Sequence, residues 1–262
     1  MNNGKILVEK LGGVGRMIFN NPERHNAVSL DMWDAAEQIL DDFVSDDVIK
    51  VIVLTGAGGK AFVSGADISK FDKERGSKKA VLHYNTRVGG IYSFVQNIAK
   101  PTIAEVNGYC IGGGLALAVC CDLRFCSEKS KFGLPAAKLG LGYPFDGLKR
   151  LVDLIGPGTT RDITFSARQL DAEEALRVGL VQRIVREEEL REFVNDYAKV
   201  VASNAPLTVK SMKHTINQTL KPKGDRDLAA CQKLVDEAFA SDDYVEGRSA
   251  FMEKRPPQFK GK

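Results

Sequence analysis

KPTIAEVNGYCIGGGLALAVCCDLRFCSEKSKFGLP, residues 100–135, is the stretch of the sequence that decides the fold. It contains a short run of mostly apolar residues, Thr102–Val106, that is typical of a buried strand, and Asn107-Gly108 predicts a turn after it. The glycine triplet Gly112–Gly114 then opens a predicted helix over Leu115–Cys121. A strand, a glycine turn and a helix within so short a stretch predict an α/β fold.

Strands and helices alternate on both sides of this stretch. The other predicted strands are Lys5–Glu9, Val14–Phe19, Val48–Thr55, Leu123–Ser127 and Val181–Val185, with shorter ones near Ala61–Ile68 and Lys131–Gly133. Predicted helices begin at Ser29 and Asp171 and run over Val81–Ile98 and Leu148–Ile155. From Glu187 onward only helices are predicted, over Glu188–Ser203, Pro206–Leu220, Arg226–Ala240 and Asp242–Glu253. We therefore expect an α/β core over residues 1–190 and a helical region over residues 191–262.

The composition is that of a globular protein: 44% of the 262 residues are apolar, 27% are charged, and the formal net charge is +3. No cluster of basic and aromatic residues indicates a nucleic-acid partner. No apolar run is long enough to cross a membrane, and Met1–Lys10 lacks the apolar core of a signal peptide, so we expect a cytoplasmic protein. The five cysteines have no paired CxxC spacing and the three histidines are scattered, so no metal site is predicted.

Two glycine-containing segments have the properties of an anion-binding site. One is AFVSGADI, Ala61–Ile68, at the end of a strand, and the other is NGYCIGGGL, Asn107–Leu115, at the start of a helix. Successive glycines let the backbone approach a ligand closely and leave peptide N–H groups unshielded. At a helix start those N–H groups lack partners within the helix, and the helix dipole favours negative charge. One donor from each segment could together hold an oxyanion.

The two segments and a third motif together resemble the crotonase superfamily, the enoyl-CoA hydratase/isomerase family. The motifs are AFVSGADI, the stretch of residues 100–135 quoted above, and SAFMEKRPPQF at residues 249–259. The resemblance implies an α/β spiral of repeated ββα units, with a C-terminal helical region that packs subunits into homotrimers, often paired as homohexamers. It also implies an acyl-CoA thioester as the substrate and no separate cofactor, because coenzyme A is part of that substrate.

The resemblance assigns roles to individual residues. By motif position, the backbone N–H groups of Ala66 and Gly113 bind the thioester carbonyl oxygen and stabilise the enolate. Ala66, Asp67 and Ile68 lie against the adenine of coenzyme A. Lys254 reaches the phosphates of coenzyme A, commonly those of a molecule bound to a neighbouring subunit.

The sequence departs from the hydratases of this family at the two positions that transfer protons. Those hydratases carry one glutamate at the second position after the glycine triplet and another directly after the proline of the FGxP segment. Here the two positions are Ala116 and Ala136. Because alanine cannot transfer protons, and the loss of a general acid or base costs roughly 10²–10⁴ in rate, we expect slow hydration of crotonyl-CoA.

The loop Lys138–Gly147 holds the remaining candidates for proton transfer. Tyr143 falls where methylmalonyl-CoA decarboxylases of the family carry a tyrosine, and Asp146 is the only carboxylate of the loop, with the role of a turn residue as its alternative. Arg87 is a candidate partner for a substrate carboxylate, with a surface role as its alternative. The leading interpretation is a lyase-type acyl-CoA enzyme. The alternatives are a methylmalonyl- or malonyl-CoA decarboxylase that uses Tyr143, and a non-catalytic acyl-CoA-binding protein.

Overall fold

The computed structural model describes residues 4–262, apart from the side chains of Phe71 and Lys73. Residues 1–3 belong to the segment Met1–Lys10, in which no signal peptide is predicted, and they lie outside the described residues. The strands are β1 (Ile6–Leu11), β2 (Val14–Phe19), β3 (Val51–Gly56), β4 (Ala61–Val63), β5 (Thr102–Val106), β6 (Tyr109–Ile111), β7 (Leu123–Ser127), β8 (Lys131–Gly133), β9 (Gln169–Asp171) and β10 (Arg183–Val185). The helices are α1 (Leu30–Ser45), α2 (Phe71–Arg75), α3 (Lys78–Asn97), α4 (Gly113–Ala118), α5 (Phe145–Phe165), α6 (Ala172–Arg177), α7 (Leu190–Ala202), α8 (Pro206–Thr219), α9 (Leu228–Phe239) and α10 (Asp242–Glu253). Single 3₁₀ turns occupy Pro22–Arg24, Ile68–Lys70, Pro135–Leu139, Glu187–Glu189 and Lys223–Asp225.

The strands form two sheets that the chain visits in alternation. The larger sheet has the order β1-β2-β3-β5-β7-β10 and the smaller one the order β4-β6-β8-β9. Neighbouring strands are parallel except for the β1–β2 and β8–β9 pairs. Each of the pairs β3–β4, β5–β6 and β7–β8 places one strand in each sheet and is followed by a helix. The predicted spiral of repeated ββα units is therefore confirmed.

The centre of the larger sheet is buried on both faces, which explains the β-branched run VIVL in β3. Alternate side chains of a strand point to opposite faces of its sheet. Accordingly, Ile52 and Leu54 join the core beneath α1, while Val51 and Val53 join a second apolar cluster beneath α7. A parallel sheet covered on both faces requires apolar residues at consecutive positions, as β3 has.

Helix α7 covers the sheet, although it falls within the region 191–262 that the sequence predicts as a separate helical part. Its buried residues Val194, Ala198 and Ala202 recur every four positions and pack on the second cluster. The later helices α8 and α9 pack against each other. Lys213 of α8 ties this pair to the sheet region through its ammonium, which lies 2.7 Å from Asp122 Oδ2. The division of the chain into two domains stays a prediction.

Several elements differ from the prediction for identifiable reasons. Helix α5 is predicted to end at Ile155 but extends to Phe165. Gly156 (φ 72°) kinks it, and Pro157 begins the helical stretch after the kink. Helix α3 begins three residues early, where the Ser77 side chain accepts a hydrogen bond from Ala80 N. The strands β6 and β9 were not predicted, because three residues are too few to show an alternating pattern. No described helix is long and apolar enough to cross a membrane.

Arg124 is a fully buried cation that holds the end of α4 against the following chain. Its Nε donates to Leu180 O at 2.6 Å, and its Nη1 donates to Cys121 O at 2.7 Å. Replacing it by methionine leaves these buried carbonyls without donors. We expect Arg124→Met to lower the free energy of unfolding by about 3 kcal/mol in urea titrations. The exposed Arg161→Met serves as control, and equal stability of the two variants would contradict this role of Arg124.

Candidate active site

The fold brings the two glycine segments into direct backbone contact where β4 and α4 meet. The Cβ of an alanine at Gly114 would lie 1.9 Å from Val63 O, so only glycine allows α4 to approach β4 this closely. A Cβ at Gly65 would lie 3.6 Å from Gly113 N, and a Cβ at Gly113 would lie 3.6 Å from Gly65 Cα. The peptide groups of the two segments therefore line the same site.

The backbone of Ala66 is fixed by a parallel bridge to Val28. Val28 N donates to Gly65 O at 2.9 Å, and Asp67 N donates to Val28 O at 3.0 Å. These two bonds use the groups that flank Ala66, so its own N–H is directed away from Val28. The N–H of Ala66 donates to no group within residues 4–262.

The N–H of Gly113 is the second free donor. Gly113 is the first residue of α4, so its N–H has no acceptor within the helix, and none is found elsewhere among the described residues. Gly112 before it has φ 57° and donates to Gly133 O at 2.8 Å, which fixes the turn into α4. The hydroxyl of Tyr92 donates to Gly113 O at 3.0 Å and braces the same residue from α3. No sequence pattern distinguishes Tyr92, because its role depends on how α3 packs on α4.

The two alanines at the glutamate positions, Ala116 and Ala136, present only methyl groups. Ala116 is buried on α4, three residues after Gly113, and its carbonyl accepts from Cys120 Sγ at 3.1 Å. Ala136 is partly buried in the 3₁₀ turn Pro135–Leu139, where its carbonyl accepts from Leu141 N at 3.0 Å. Neither position supplies a group that could take or give a proton.

Tyr143 is the loop residue that packs against the core cluster to which Tyr92 and Leu115 also belong. Its ring packs on the core and against Gly147, where an added Cβ would lie 2.6 Å from the ring. Burial raises the pKa of the Tyr143 hydroxyl, the nearby Cys120 raises it further, and the positive charge of Arg150 opposes the rise. The hydroxyl is therefore protonated at neutral pH, and it has no hydrogen-bond partner in the part of the chain that the structure describes.

Comparisons with known proteins agree with this geometry. A sequence model of the family described as Enoyl-CoA hydratase/isomerase matches residues 9–262. The chain belongs to this family. The prediction that the chain belongs to the crotonase superfamily and has its fold is thereby confirmed.

Two curated members of the family match the chain almost from end to end. The short-chain-enoyl-CoA hydratase of Clostridium acetobutylicum is 34% identical over 258 residues, and the match covers 97% of each protein. The crotonyl-CoA hydratase of Syntrophomonas wolfei is 33% identical, again over 97% of each protein. Among solved structures, an enoyl-CoA hydratase/carnithine racemase from Magnetospirillum magneticum superimposes with a TM-score of 0.91 at 32% identity, covering 98% of this chain and 96% of that one.

Two further charged candidates for the acyl site of this family member lie outside the arrangement just described. Asp146 is exposed in the first helical turn of α5, not in a β-turn, and it makes no ion pair or hydrogen bond with any described residue. Arg87 lies on α3 with its Nη2 2.8 Å from Asp34 Oδ1 and next to Glu37. Because two carboxylates already neutralise Arg87, the surface role is favoured over binding of a substrate carboxylate.

The residues expected to contact coenzyme A differ in exposure and in their partners. Ile68 is 65% exposed at the start of a 3₁₀ turn, and its side chain is free to contact a flat ligand. Asp67 is buried, and its Oδ1 accepts from Arg24 Nη1 at 3.0 Å and from Ser69 Oγ at 2.7 Å. Lys254 is exposed at the left-handed C-terminus of α10, and it makes no ion pair with the residues described.

The carboxylate of Asp67 stabilises the loop that carries Ala66. Burial by itself raises the pKa of Asp67, but the hydrogen bonds from Ser69 and Arg24 outweigh it and lower the pKa below its ordinary value. A lowered pKa in the folded chain means that the carboxylate stabilises the fold above about pH 4 and that this stability is lost as the pH falls through the folded pKa.

We therefore expect Asp67→Asn to be less stable than the unsubstituted chain at pH 7, and the difference to shrink between pH 5 and pH 3. Urea titrations across this range measure the difference. Asp41→Asn, at an exposed position of α1, is the matched control and is expected to show no such trend. A difference that stays constant with pH would contradict the role of the Asp67 carboxylate.

Proposed function

We propose that this chain is a lyase-type acyl-CoA enzyme that holds the thioester oxygen of its substrate on the N–H groups of Ala66 and Gly113. The observation that carries the proposal is the pair of free backbone donors on two segments in direct contact. An enolate places negative charge on the thioester oxygen, and two fixed donors stabilise that charge more than they stabilise the neutral thioester. The names of the relatives, which are hydratases of enoyl-CoA thioesters, support an acyl-CoA substrate.

The chemistry after binding differs, in this proposal, from two-glutamate hydration. Adding water to an enoyl thioester needs one group to activate the water and another to protonate the α-carbon. Ala116 and Ala136 stand where the resemblance places those groups, and Asp146 is directed into solvent. The chain therefore favours reactions in which the enolate forms without a protein base.

Decarboxylation of a malonyl- or methylmalonyl-CoA is the reaction of this kind that Tyr143 favours. The bond between the α-carbon and the carboxylate breaks, carbon dioxide leaves, and the electron pair passes into the thioester enolate held by Ala66 and Gly113. The O–H of Tyr143 then gives its proton to the α-carbon and regains one from water. The hydroxyl is suited to this step because it is protonated at neutral pH and has no partner within residues 4–262.

A non-catalytic acyl-CoA-binding protein is the second candidate. It is favoured by the same alanines and by the exposure of Asp146, which leave binding groups without an acid or base of the usual kind. In either case Ala66, Asp67, Ile68 and Lys254 are the proposed contacts of coenzyme A, which enters as part of the substrate.

The proposed homotrimer or homohexamer is supported by the apolar surface of the last three helices. A groove of about 620 Å³ lies between α8, α9 and α10. Phe239 and Phe251 at this groove are 62% and 82% exposed in the single chain. Apolar surface of this extent is typical of contacts between subunits.

The test compares the unsubstituted chain with Tyr143→Phe on crotonyl-, malonyl- and methylmalonyl-CoA. We expect decarboxylation of a malonyl-type thioester, and a decrease of about 10²-fold in its kcat in Tyr143→Phe with coenzyme A affinity unchanged. Tyr197→Phe, on α7 away from the site, is the matched control. Binding of coenzyme A without turnover of any of the three would instead identify the non-catalytic protein.

A further inference from the structure

Arg150 on α5 is a partly buried cation whose polar contacts are to neutral groups. Its Nε donates to Gln96 Oε1 at 2.7 Å, and its Nη2 lies 3.5 Å from Ser93 Oγ. Nη1 donates to no group in the described part of the chain, and no carboxylate there comes within ion-pair distance of Arg150. The buried Arg16 is paired with the carboxylate of Glu105, and the buried Arg124 fills its Nε and Nη1 with backbone carbonyls, whereas Nη1 of Arg150 has neither kind of partner among the described residues. A partly desolvated charge is unfavourable until an anion neutralises it.

Arg150 is linked to the proposed thioester site through helix α3 and lies near Tyr143. Gln96, which holds the guanidinium, lies one helical turn after Tyr92, whose hydroxyl braces Gly113. The charge of Arg150 acts on Tyr143 and on Cys120, and the Sγ of Cys120 donates to the carbonyl of Ala116. Gly113, Ala116 and Cys120 follow one another along α4 and the turn after it. Arg150 therefore lies close to Tyr143 and Cys120, and Gln96 links it to the helix whose Tyr92 braces Gly113.

We propose that Arg150 binds a free carboxylate on the acyl group, so that the substrates are acyl-CoA thioesters of short dicarboxylic acids. The proposal rests on the proposed function, because it needs the thioester held at Ala66 and Gly113. The Nη1 and Nη2 ends of the guanidinium match the two oxygens of a carboxylate, and such charge-assisted pairs are among the stronger hydrogen bonds in proteins. The methyl groups of Ala116 and Ala136 leave room for the acyl chain and add no competing negative charge.

The contacts of Arg150 join α5 to α3, so a purely structural role as a link between these helices would also explain them. The two roles differ in their consequences. A helix link that binds no ligand affects stability and the affinity for every acyl-CoA equally, and removing its partner with Gln96→Leu has the same effect as removing Arg150. A carboxylate-binding role affects only ligands that carry a second carboxylate.

Isothermal titration calorimetry with unreactive ligands separates these roles. The ligands are coenzyme A, butyryl-CoA, succinyl-CoA and glutaryl-CoA, and the variants are Arg150→Gln, Arg150→Lys, Gln96→Leu and the exposed Arg161→Gln of the same helix. We expect at least one dicarboxylic ligand to bind the unsubstituted chain about tenfold more tightly than butyryl-CoA. Arg150→Gln is expected to abolish that preference with butyryl-CoA affinity unchanged, and Arg161→Gln to retain it.

Two outcomes would overturn the proposal. Equal affinity of the unsubstituted chain for butyryl-CoA and both dicarboxylic ligands would exclude a carboxylate site, while leaving the thioester site intact. An equal loss for all acyl ligands in Arg150→Gln and Gln96→Leu would show a helix link only. If Arg150→Gln does not fold, Arg150→Lys, which keeps the charge but lacks the planar fork, is expected to reduce the preference severalfold. Failure of every ligand, coenzyme A included, to bind would instead refute the proposed function.

Discussion

Crotonyl-CoA hydration by this chain is expected to be about 10⁴-fold slower than by a family hydratase that carries both glutamates. The reason is local: Ala116 and Ala136 leave no group to activate water or to protonate the α-carbon, and each missing acid or base costs roughly 10²–10⁴ in rate. Coupled measurement of kcat/KM on crotonyl-CoA for both enzymes under the same conditions gives the ratio. A turnover comparable to that of the two-glutamate enzyme would contradict the account.

Ala116→Glu combined with Ala136→Glu restores two carboxyl groups and is expected to raise crotonyl-CoA hydration by about 10² or more. The matched control is the pair Ala116→Gln and Ala136→Gln, which adds side chains of nearly the same size without a titratable group. If the glutamine pair raised hydration equally, general acid–base catalysis would not be the cause.

The second large effect is expected from removing the N–H of Gly113. Proline is well tolerated at the first position of a helix, which Gly113 occupies, and it lacks the N–H that would bind the oxyanion. Gly113→Pro is expected to reduce kcat by about 10²–10³ relative to Gly113→Ala. Both variants place a Cβ about 3.0 Å from the Tyr92 hydroxyl, so the alanine variant controls for that contact.

The comparison between these two variants isolates the donor. Enolate-forming turnover, followed with the acyl-CoA that the enzyme processes fastest, is the quantity to measure, together with thermal stability. Equal activity in Gly113→Pro and Gly113→Ala, with both folded, would show that the Gly113 N–H does not bind the developing charge.

The sequence predicts the framework of the fold well, because its signals there are local. The β-branched run of β3 and the glycine turns around β5 and α4 reflect burial and backbone conformation at each position. The adjacency of Gly65 and Gly113 was inferred only through the resemblance. The adjacency is possible because Gly114 has no side chain: a Cβ there would lie 1.9 Å from Val63 O. Gly114 and Val63 are 51 positions apart in the sequence, so this requirement leaves no periodic pattern.

The candidate site was predicted less completely than the fold, since its side chains meet through packing between helices. Tyr92 and Arg150 lie on the predicted helices α3 and α5, yet nothing in their own neighbourhood distinguishes them from ordinary helix residues. Only the packing of α3 on α4 and α5 brings Tyr92 to Gly113 and Arg150 to Gln96. Arg87, by contrast, was a candidate from its place on α3, and the two carboxylates beside it on α1 show a surface ion pair instead.

The most direct test of the central claim is the infrared frequency of the thioester carbonyl of a ¹³C-labelled, unreactive acyl-CoA bound to the protein. Two hydrogen bonds from Ala66 and Gly113 polarise the C=O bond, so a shift to lower frequency is expected on binding. The shift is expected to be retained in Gly113→Ala and clearly reduced in Gly113→Pro, which keeps only the Ala66 donor. A bound thioester whose carbonyl frequency equals that of the free ligand in water, or a shift unchanged in Gly113→Pro, would contradict the claim.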